Sequence, residues 1–462
     1  MTDEGPSSSK QNRYTLRSST RNELVVAEHK ESTDGKRKRK GPLRLMDLND
    51  DCLLAIIGNM NVIELCDIAE TCKRTQALAQ YHFHLKHHRL DLVSLARRNP
   101  KLALRLLRNF GGVASSLNMA RDLFPHNEKT ASRKLLSLIA KYCRSNTLTE
   151  LSLSRFIITP ASMTELTDLF ESLEIFNLET ATIGQCDWSP FKDNLKVLKL
   201  ALNDFNCLPY PVRVYKPLTT FINTAKHLKV LSIFLRERSV PSASRVYEAI
   251  GELKDLEELE LNGWQCSGRE KMFQLNCSSL FALNNLKVLK INARRYPVYR
   301  LLRGLAENNI AIEHLSLNYG TFDHGVIVAT AISKLESIKV LELLNMEWVN
   351  DAHLLVISKG LKLLTELVVT GWYPVNVIQH GIVEMLRETD RLSCLKIIAR
   401  SFKFNIDTYN EMLAIIKTRP EHIKLQLTFG SWAKVPFDSE GTLRSNEKWL
   451  SVKEVKPFSN IQ

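Results

Sequence analysis

Long apolar runs are missing from this 462-residue chain: none approaches the eighteen or so residues that a membrane span requires. The opening MTDEGPSSSK has no apolar core of the kind that marks a secretory signal, so a soluble intracellular protein without a membrane partner is expected. Nine cysteines stand at 52, 66, 72, 143, 186, 207, 266, 277 and 394. None is in C-x-x-C spacing, which argues against a structural zinc site and for reduced thiols that pack as small hydrophobes. The triplet Asn276-Cys277-Ser278 then carries no glycosylation meaning. A serine elbow, a phosphate loop and a paired-carboxylate motif are absent too, which leaves the Asp323-His324 pair without catalytic company. His84 and His88 have a spacing that suits a metal on a helix, but no third ligand accompanies them. No intrinsic enzyme, cofactor or metal is expected.

What is present is ordinary globular composition, 44% apolar and 24% charged, with a net charge of +13 that is unevenly distributed. Residues 1–42 carry ten Lys/Arg against six Asp/Glu, residues 43–72 one against six, and residues 73–108 nine against Asp91 alone. The first segment is polar and ends in GKRKRKGP, so it reads as a disordered tail. Its cluster Lys36, Arg37, Lys38, Arg39 and Lys40 is a nuclear-import candidate, placing the protein in the nucleus and/or cytoplasm.

Between residues 114 and 427 the pattern LxxLxL recurs. It stands clearly at LTELSL (148–153), LEIFNL (173–178), LKVLKL (195–200), LKVLSI (228–233), LEELEL (256–261), LKVLKI (286–291), IEHLSL (312–317), IKVLEL (338–343), LTELVV (364–369) and LSCLKI (392–397). Weaker copies lie at ASSLNM (114–119) and HIKLQL (422–427). In a strand the last two apolar positions of each copy point the same way, into a core. Segments of helical period lie between, such as VYRLLRGLAENN (298–309) and YNEMLAIIKTRP (409–420). One strand with one helix cannot bury its apolar side alone, but stacked units form a continuous core.

This pattern resembles the leucine-rich repeat family in its helix-containing class, which implies an α/β horseshoe of about ten to twelve irregular repeats over residues 111–430, with a cap and tail at 431–462. The family's Asn or Cys after the strand is met clearly by Asn203; elsewhere stand residues such as Phe156, Trp264, Met346 and Trp372. Uneven curvature is therefore expected. The Pro-rich CLPYPVRVYKP (207–217) reads as a surface insertion.

The stretch LNDDCLLAIIGNMNVIELCDIAETCKR (48–74) holds two short amphipathic helix patterns. Asn49 is an N-cap candidate ahead of Asp50 and Asp51, and Asn61 with Glu64 forms a capping-box signature. Cys52, Leu53, Ile56, Ile57 and Met60 share one face, and Val62, Leu65, Ile68, Ala69 and Cys72 share another. With a third helix through RTQALAQYHF the unit has only about 40 residues, near the size below which a chain rarely stabilises itself. A partner that covers the excess apolar surface is expected.

The segment 43–83 resembles an F-box: Leu48 stands at the leucine of the family's leading Leu-Pro, followed by DDCLLAII and IELCDIAETCKR. Asn49 replaces the proline. An F-box ahead of leucine-rich repeats implies the substrate-recognition subunit of an SCF-type ubiquitin ligase, bound through the Skp adaptor to cullin, with the repeats holding a protein marked for ubiquitination and proteasomal degradation. The resemblance places the adaptor contacts at Leu48, Asn49, Leu53, Ile56, Ile57, Leu65, Ala69 and Cys72. Residues 84–110 read as a basic helical connector.

For the target, the candidates are the residues between the paired apolar ones, Lys199, Glu260, Lys290, Glu342 and Lys396, whose alternating sign favours protein over polyanion. Tyr319, Trp348 and Tyr373 lie just past the strands, and aromatic residues of this kind often dominate interfaces. Two other readings stand beside the ligase one: a repeat scaffold uncoupled from ubiquitination, and a nucleic-acid-associated protein using the basic segments.

Overall fold

A computed structural model of the chain describes residues 45–121, 128–183, 194–202, 212–234, 240–262, 277–292, 298–318, 325–346, 348–371, 379–399, 406–419, 423–430 and 447–454. The chain divides into two units, Met1–Asn49 and Asp50–Gln462, so a division falls inside the expected 43–83 segment. In the first unit Leu45–Asp47 form one 3-10 turn, closed by Leu48 N–H on Leu45 O at 3.3 Å.

The second unit opens with three helices, α1 (Asp50–Ile57), α2 (Val62–Ala69) and α3 (Lys73–Lys86). Asp50 and Asp51 put negative charge in the first turn of α1, where the helix dipole favours it. The capping box is formed as expected: Asn61 Oδ1 accepts from the Ile63 and Glu64 amides at 2.9 and 3.1 Å, while Glu64 Oε2 accepts the Asn61 amide at 2.8 Å. α3 runs three residues past the boundary expected at 83.

After α3 the chain forms a short strand β1 (Arg89–Asp91) and two helices, α4 (Val93–Arg98) and α5 (Pro100–Phe110). Asn99 caps α5 by accepting the Leu102 amide at 3.1 Å, with Pro100 at the first helical position, where its missing N–H costs nothing. The expected connector is therefore the first strand–helix step of the sheet.

The strands that follow are β2 (Ser116–Ala120), β3 (Glu150–Ser154), β4 (Ile157–Ile158), β5 (Ile175–Ile183), β6 (Val197–Leu202), β7 (Val230–Phe234), β8 (Glu258–Asn262), β9 (Val288–Asn292), β10 (His314–Asn318), β11 (Val340–Leu344), β12 (Glu366–Gly371), β13 (Cys394–Ala399), β14 (Leu425–Gly430) and β15 (Leu450–Glu454). Among the described residues β1 and all of these strands but β4 form one open parallel sheet of fourteen in chain order, with the short β4 beside β5. Helices α6 (Glu128–Tyr142), α7 (Pro160–Glu165), α8 (Thr167–Phe170), α9 (Val212–Thr224), α10 (Val240–Gly251), α11 (Val298–Glu307), α12 (Gly325–Ser333), α13 (Asp351–Gly360), α14 (Gln379–Glu388) and α15 (Ile406–Lys417) alternate with the strands. The described part of the step from β8 to β9 carries a 3-10 segment, Ser278–Ala282. Parallel neighbours require such crossovers.

Register explains the pattern in the sequence. Leu259, Leu289, Leu315, Leu341, Leu367 and Leu395 lie side by side on successive strands, as do Leu261, Ile291, Leu317, Leu343, Val369 and Ile397, and all are buried. From β1 to β12, leaving aside the short β4, one carbonyl just before each strand accepts two amides of the next step. Lys229 O takes the Glu257 and Glu258 amides at 2.8 and 3.0 Å, and Glu257 O takes those of Lys287 and Val288 at 2.9 and 3.0 Å.

Three expectations are corrected. Leu395 pairs with Leu427, not Leu425, so HIKLQL is displaced by two residues; a side-chain period of two leaves the apolar face unchanged. β1 and β15 extend the sheet beyond the LxxLxL copies at both ends. α9 begins at Val212, inside the expected Pro-rich insertion, because Leu218, Phe221 and Ile222 bury a helical apolar face and packing outweighs the local propensity of Pro217. At the position where the repeat family carries Asn or Cys, Phe156 and Met346 are buried and fill the interior with apolar volume.

Candidate functional site

Two surfaces carry the sequence-derived candidates. On the helical cluster, Leu53, Ile57, Leu65 and Ala69 are buried within the chain itself. The cover comes from α5, which packs on α2 and α3, with Phe83 and Phe110 stacked at 4.6 Å between ring centroids. Part of the excess apolar surface that the sequence suggests for this small unit is thus covered by α5. Leu48 is half-buried, and Asn49, Ile56 and Cys72 are exposed.

What stays open is a different set of apolar side chains: Ile56 at 38%, Ile63 at 47%, Tyr81 at 49% and Leu85 at 60% of their full exposure. Ile63, Tyr81 and Leu85 were not among the expected contacts. Ile63 falls off the α2 stripe at 100° per residue, and an isoleucine on the polar side of an amphipathic helix is the signal that could have found it.

Polar contacts fix α2 to α5. Arg105 Nη2 lies 2.6 Å from Glu70 Oε2 and 2.8 Å from Asp67 Oδ1, and its Nε reaches both Glu70 oxygens at 2.9 and 3.0 Å. The Arg105 guanidinium, with help from Asn109, holds the Glu70 carboxyl below its ordinary range. Buried Asn109 donates from Nδ2 to Glu70 Oε1 at 3.0 Å and to Cys66 Sγ at 3.3 Å. Burial pushes the Cys66 thiol up. The exposed Cys72 thiol at the head of α3 is drawn down by Thr75, first through its hydroxyl, whose oxygen is 3.4 Å away.

The basic stretch 73–108 is partly neutralised inside the chain. Arg74 pairs with Asp50 at 2.7 Å, Arg89 with Glu150 at 3.2 Å, and Arg105 as above. The suggested metal pair does not share a helix face: His84 lies within α3 with Nδ1 3.1 Å from Val113 O, whereas His88 sits beyond the end of α3 with φ 36°. Among the described residues no cluster of His, Cys, Asp and Glu suits a metal ion.

The second surface is the face of the sheet opposite the buried leucine rows. Lys199, Glu260, Lys290, Glu342 and Lys396 occupy one register row of it, with Ser232, Ser316 and Val368 between them. Lys199 is exposed and the other four are half-buried. Lys290 Nζ meets Glu258 Oε1 at 2.7 Å. His314 Nε2 stands 3.6 Å from Glu342 Oε2, an electrostatic contact longer than a hydrogen bond, and it holds the Glu342 carboxyl low.

Trp348 does not present itself to a partner. It is only 9% exposed and lies edge-on to buried His353 at 5.3 Å between centroids. Tyr319, Tyr373, Trp264, Trp372, Asn203, Asp323, His324 and the Lys36–Lys40 cluster lie outside the described residues.

Compared with known proteins, the chain matches no family model and no curated relative.

Proposed function

We propose that this chain is the target-recognition subunit of an SCF-type ubiquitin ligase, with α1–α3 docking a Skp-type adaptor and the parallel sheet, read as a leucine-rich repeat horseshoe, holding a protein target. It acts as a non-catalytic receptor. The carrying observation is the pair of open isoleucines, Ile56 and Ile63, on a capped helical cluster of F-box-like sequence that is tied by Arg105 and Asn109 to the sheet-forming part of the chain. Exposed aliphatic side chains on short helices suit helix-to-helix docking. Rigid attachment would hold a bound target at a fixed distance from the adaptor.

Adaptor contact then falls to Ile56, Ile63 and Cys72, while Leu53, Ile57, Leu65 and Ala69 hold the helices in place. The nucleic-acid reading is weakened by the ion pairs of Arg74, Arg89 and Arg105. Co-expression of the full chain with a Skp-type adaptor and cullin tests the proposal: both proteins should co-purify, and Ile56→Asp with Ile63→Asp should release them while the thermal unfolding curve stays in place. Failure of the unaltered chain to capture the adaptor overturns it.

A further inference from the structure

We infer that the open face of strands β8 to β12 receives an extended Lys/Arg-bearing segment of the target protein, an inference that rests on the sheet being the target-holding part of the proposed receptor. The chain as a whole is basic, with +13 net charge, yet this window is acidic. Its outward rows carry Glu258, Glu260, Glu342 and Glu366 against the single lysine Lys290. Lys290 is spent on Glu258 at 2.7 Å, and among the described residues neither Glu260 nor Glu366 is ion-paired. Lys199 on β6 and Lys396 on β13 bound the window on either side.

A separate observation marks the same window as incomplete without a ligand. Among the described residues, Oδ1 of Asn262 and Nε2 of His314, on the same face, are shielded from solvent and have no partner within hydrogen-bond distance, the Glu342 carboxylate standing 3.6 Å from the imidazole. Shielded polar atoms without partners are costly, about 1–3 kcal/mol each, and are rare unless water or a ligand completes them. Cationic side chains would meet the carboxylates, and a peptide backbone, which offers both donors and acceptors, would meet the amide and imidazole.

Size fits the same occupant. Four inter-strand steps of about 4.8 Å span about 19 Å, the length of roughly six residues of extended chain. A polyanion would face four carboxylates in this window, so the flanking lysines alone would have to hold it.

Fluorescence anisotropy on the purified full chain is the test, with a fluorescein-labelled octapeptide Gly-(Lys-Arg)3-Gly as probe and the corresponding Glu-for-Lys/Arg peptide as comparison. The basic peptide should bind and weaken with added salt, and the acidic one should not bind. Glu260→Gln with Glu366→Gln should weaken binding roughly tenfold, about what two screened ion pairs contribute. Glu248→Gln, exposed on helix α10, should change nothing. Equal binding of both peptides, or equal binding by the unaltered and doubly substituted chains, overturns the inference. Adaptor capture measured on the same preparations keeps the two readings apart: capture without acid-dependent peptide binding sinks only this inference. Peptide binding that needs Glu260 and Glu366 supports it even where the adaptor is not captured.

Discussion

Asn109 Nδ2 and Glu70 Oε1 lie 3.0 Å apart, joining α5 to α2 at a point where Asn109 is buried and Glu70 is open to solvent. The same amide reaches Cys66 Sγ, and Gln80 Nε2 donates to the Asn109 carbonyl at 2.6 Å. One side chain therefore helps make the helical cluster continuous with the first strand–helix step of the sheet.

Asn109→Ala should lower unfolding free energy by about 1–3 kcal/mol, since it removes a hydrogen bond to a charged carboxylate and one to buried Cys66. Urea unfolding followed by far-UV circular dichroism measures it. Because the Glu70 carboxyl is held low, its contribution is present above the ordinary carboxylate pKa and fades as pH falls through the lowered value. The penalty of the variant should therefore shrink in acid. A penalty independent of pH would detach Glu70 from the effect.

Leu53 and Ile56 are neighbours on α1 with opposite fates, the first fully buried and the second open. Leu53→Asp should collapse the helical cluster, costing at least about 3 kcal/mol through a buried unpaired charge and a lost aliphatic contact. Ile56→Asp should change stability by no more than about 0.5 kcal/mol, as expected for an exposed site. Equal melting behaviour of the two variants would contradict the burial assigned here.

Thiol reactivity should follow environment. Cys72 is exposed, with a lowered pKa from the Thr75 contacts at the helix head, whereas burial raises Cys66 and Cys277 and pushes Cys143 up to about 12. Thiolates are the reacting species. Brief iodoacetamide treatment at neutral pH, read by mass spectrometry, should label Cys72 well ahead of these three. Preferential labelling of Cys143 would mean that the chain just past α6 is not packed as described.

Two histidines set an acid limit. His353 and His82 are buried, and desolvation lowers both below the ordinary imidazole value. The unfolded chain then binds protons that the folded chain refuses, so stability is full above about pH 6.5 and declines as pH falls toward the lowered values. His353→Gln should flatten part of that decline in thermal melts between about pH 7 and pH 5. An unchanged slope would remove His353 from the titration.

Much of the sheet was legible in advance because a strand's period of two and a helix's period near 3.6 are written directly into apolar spacing, as in LKVLKI and VYRLLRGLAENN. The capping box at Asn61 and Glu64 was equally local and equally readable. Local chemistry did not reveal the pairing of Leu427 with Leu395, since a shift of two residues keeps every side chain on its face. It did not reveal β1 either, whose three residues carry only Leu90 into the interior.

The sequence by itself therefore determined an alternating α/β chain, its leucine rows, its helix caps and the uneven spread of its charge, because each depends on residues close together along the chain. Only the tertiary structure decided which apolar side chains remain open. Leu53 and Ile56 fall on the same stripe of one helix, and what separates them is the neighbouring helices, α3 and its companions, arriving from elsewhere in the chain. The acidic window was likewise out of reach, since Glu258, Glu260, Glu342 and Glu366 lie far apart in sequence and are gathered by parallel register alone.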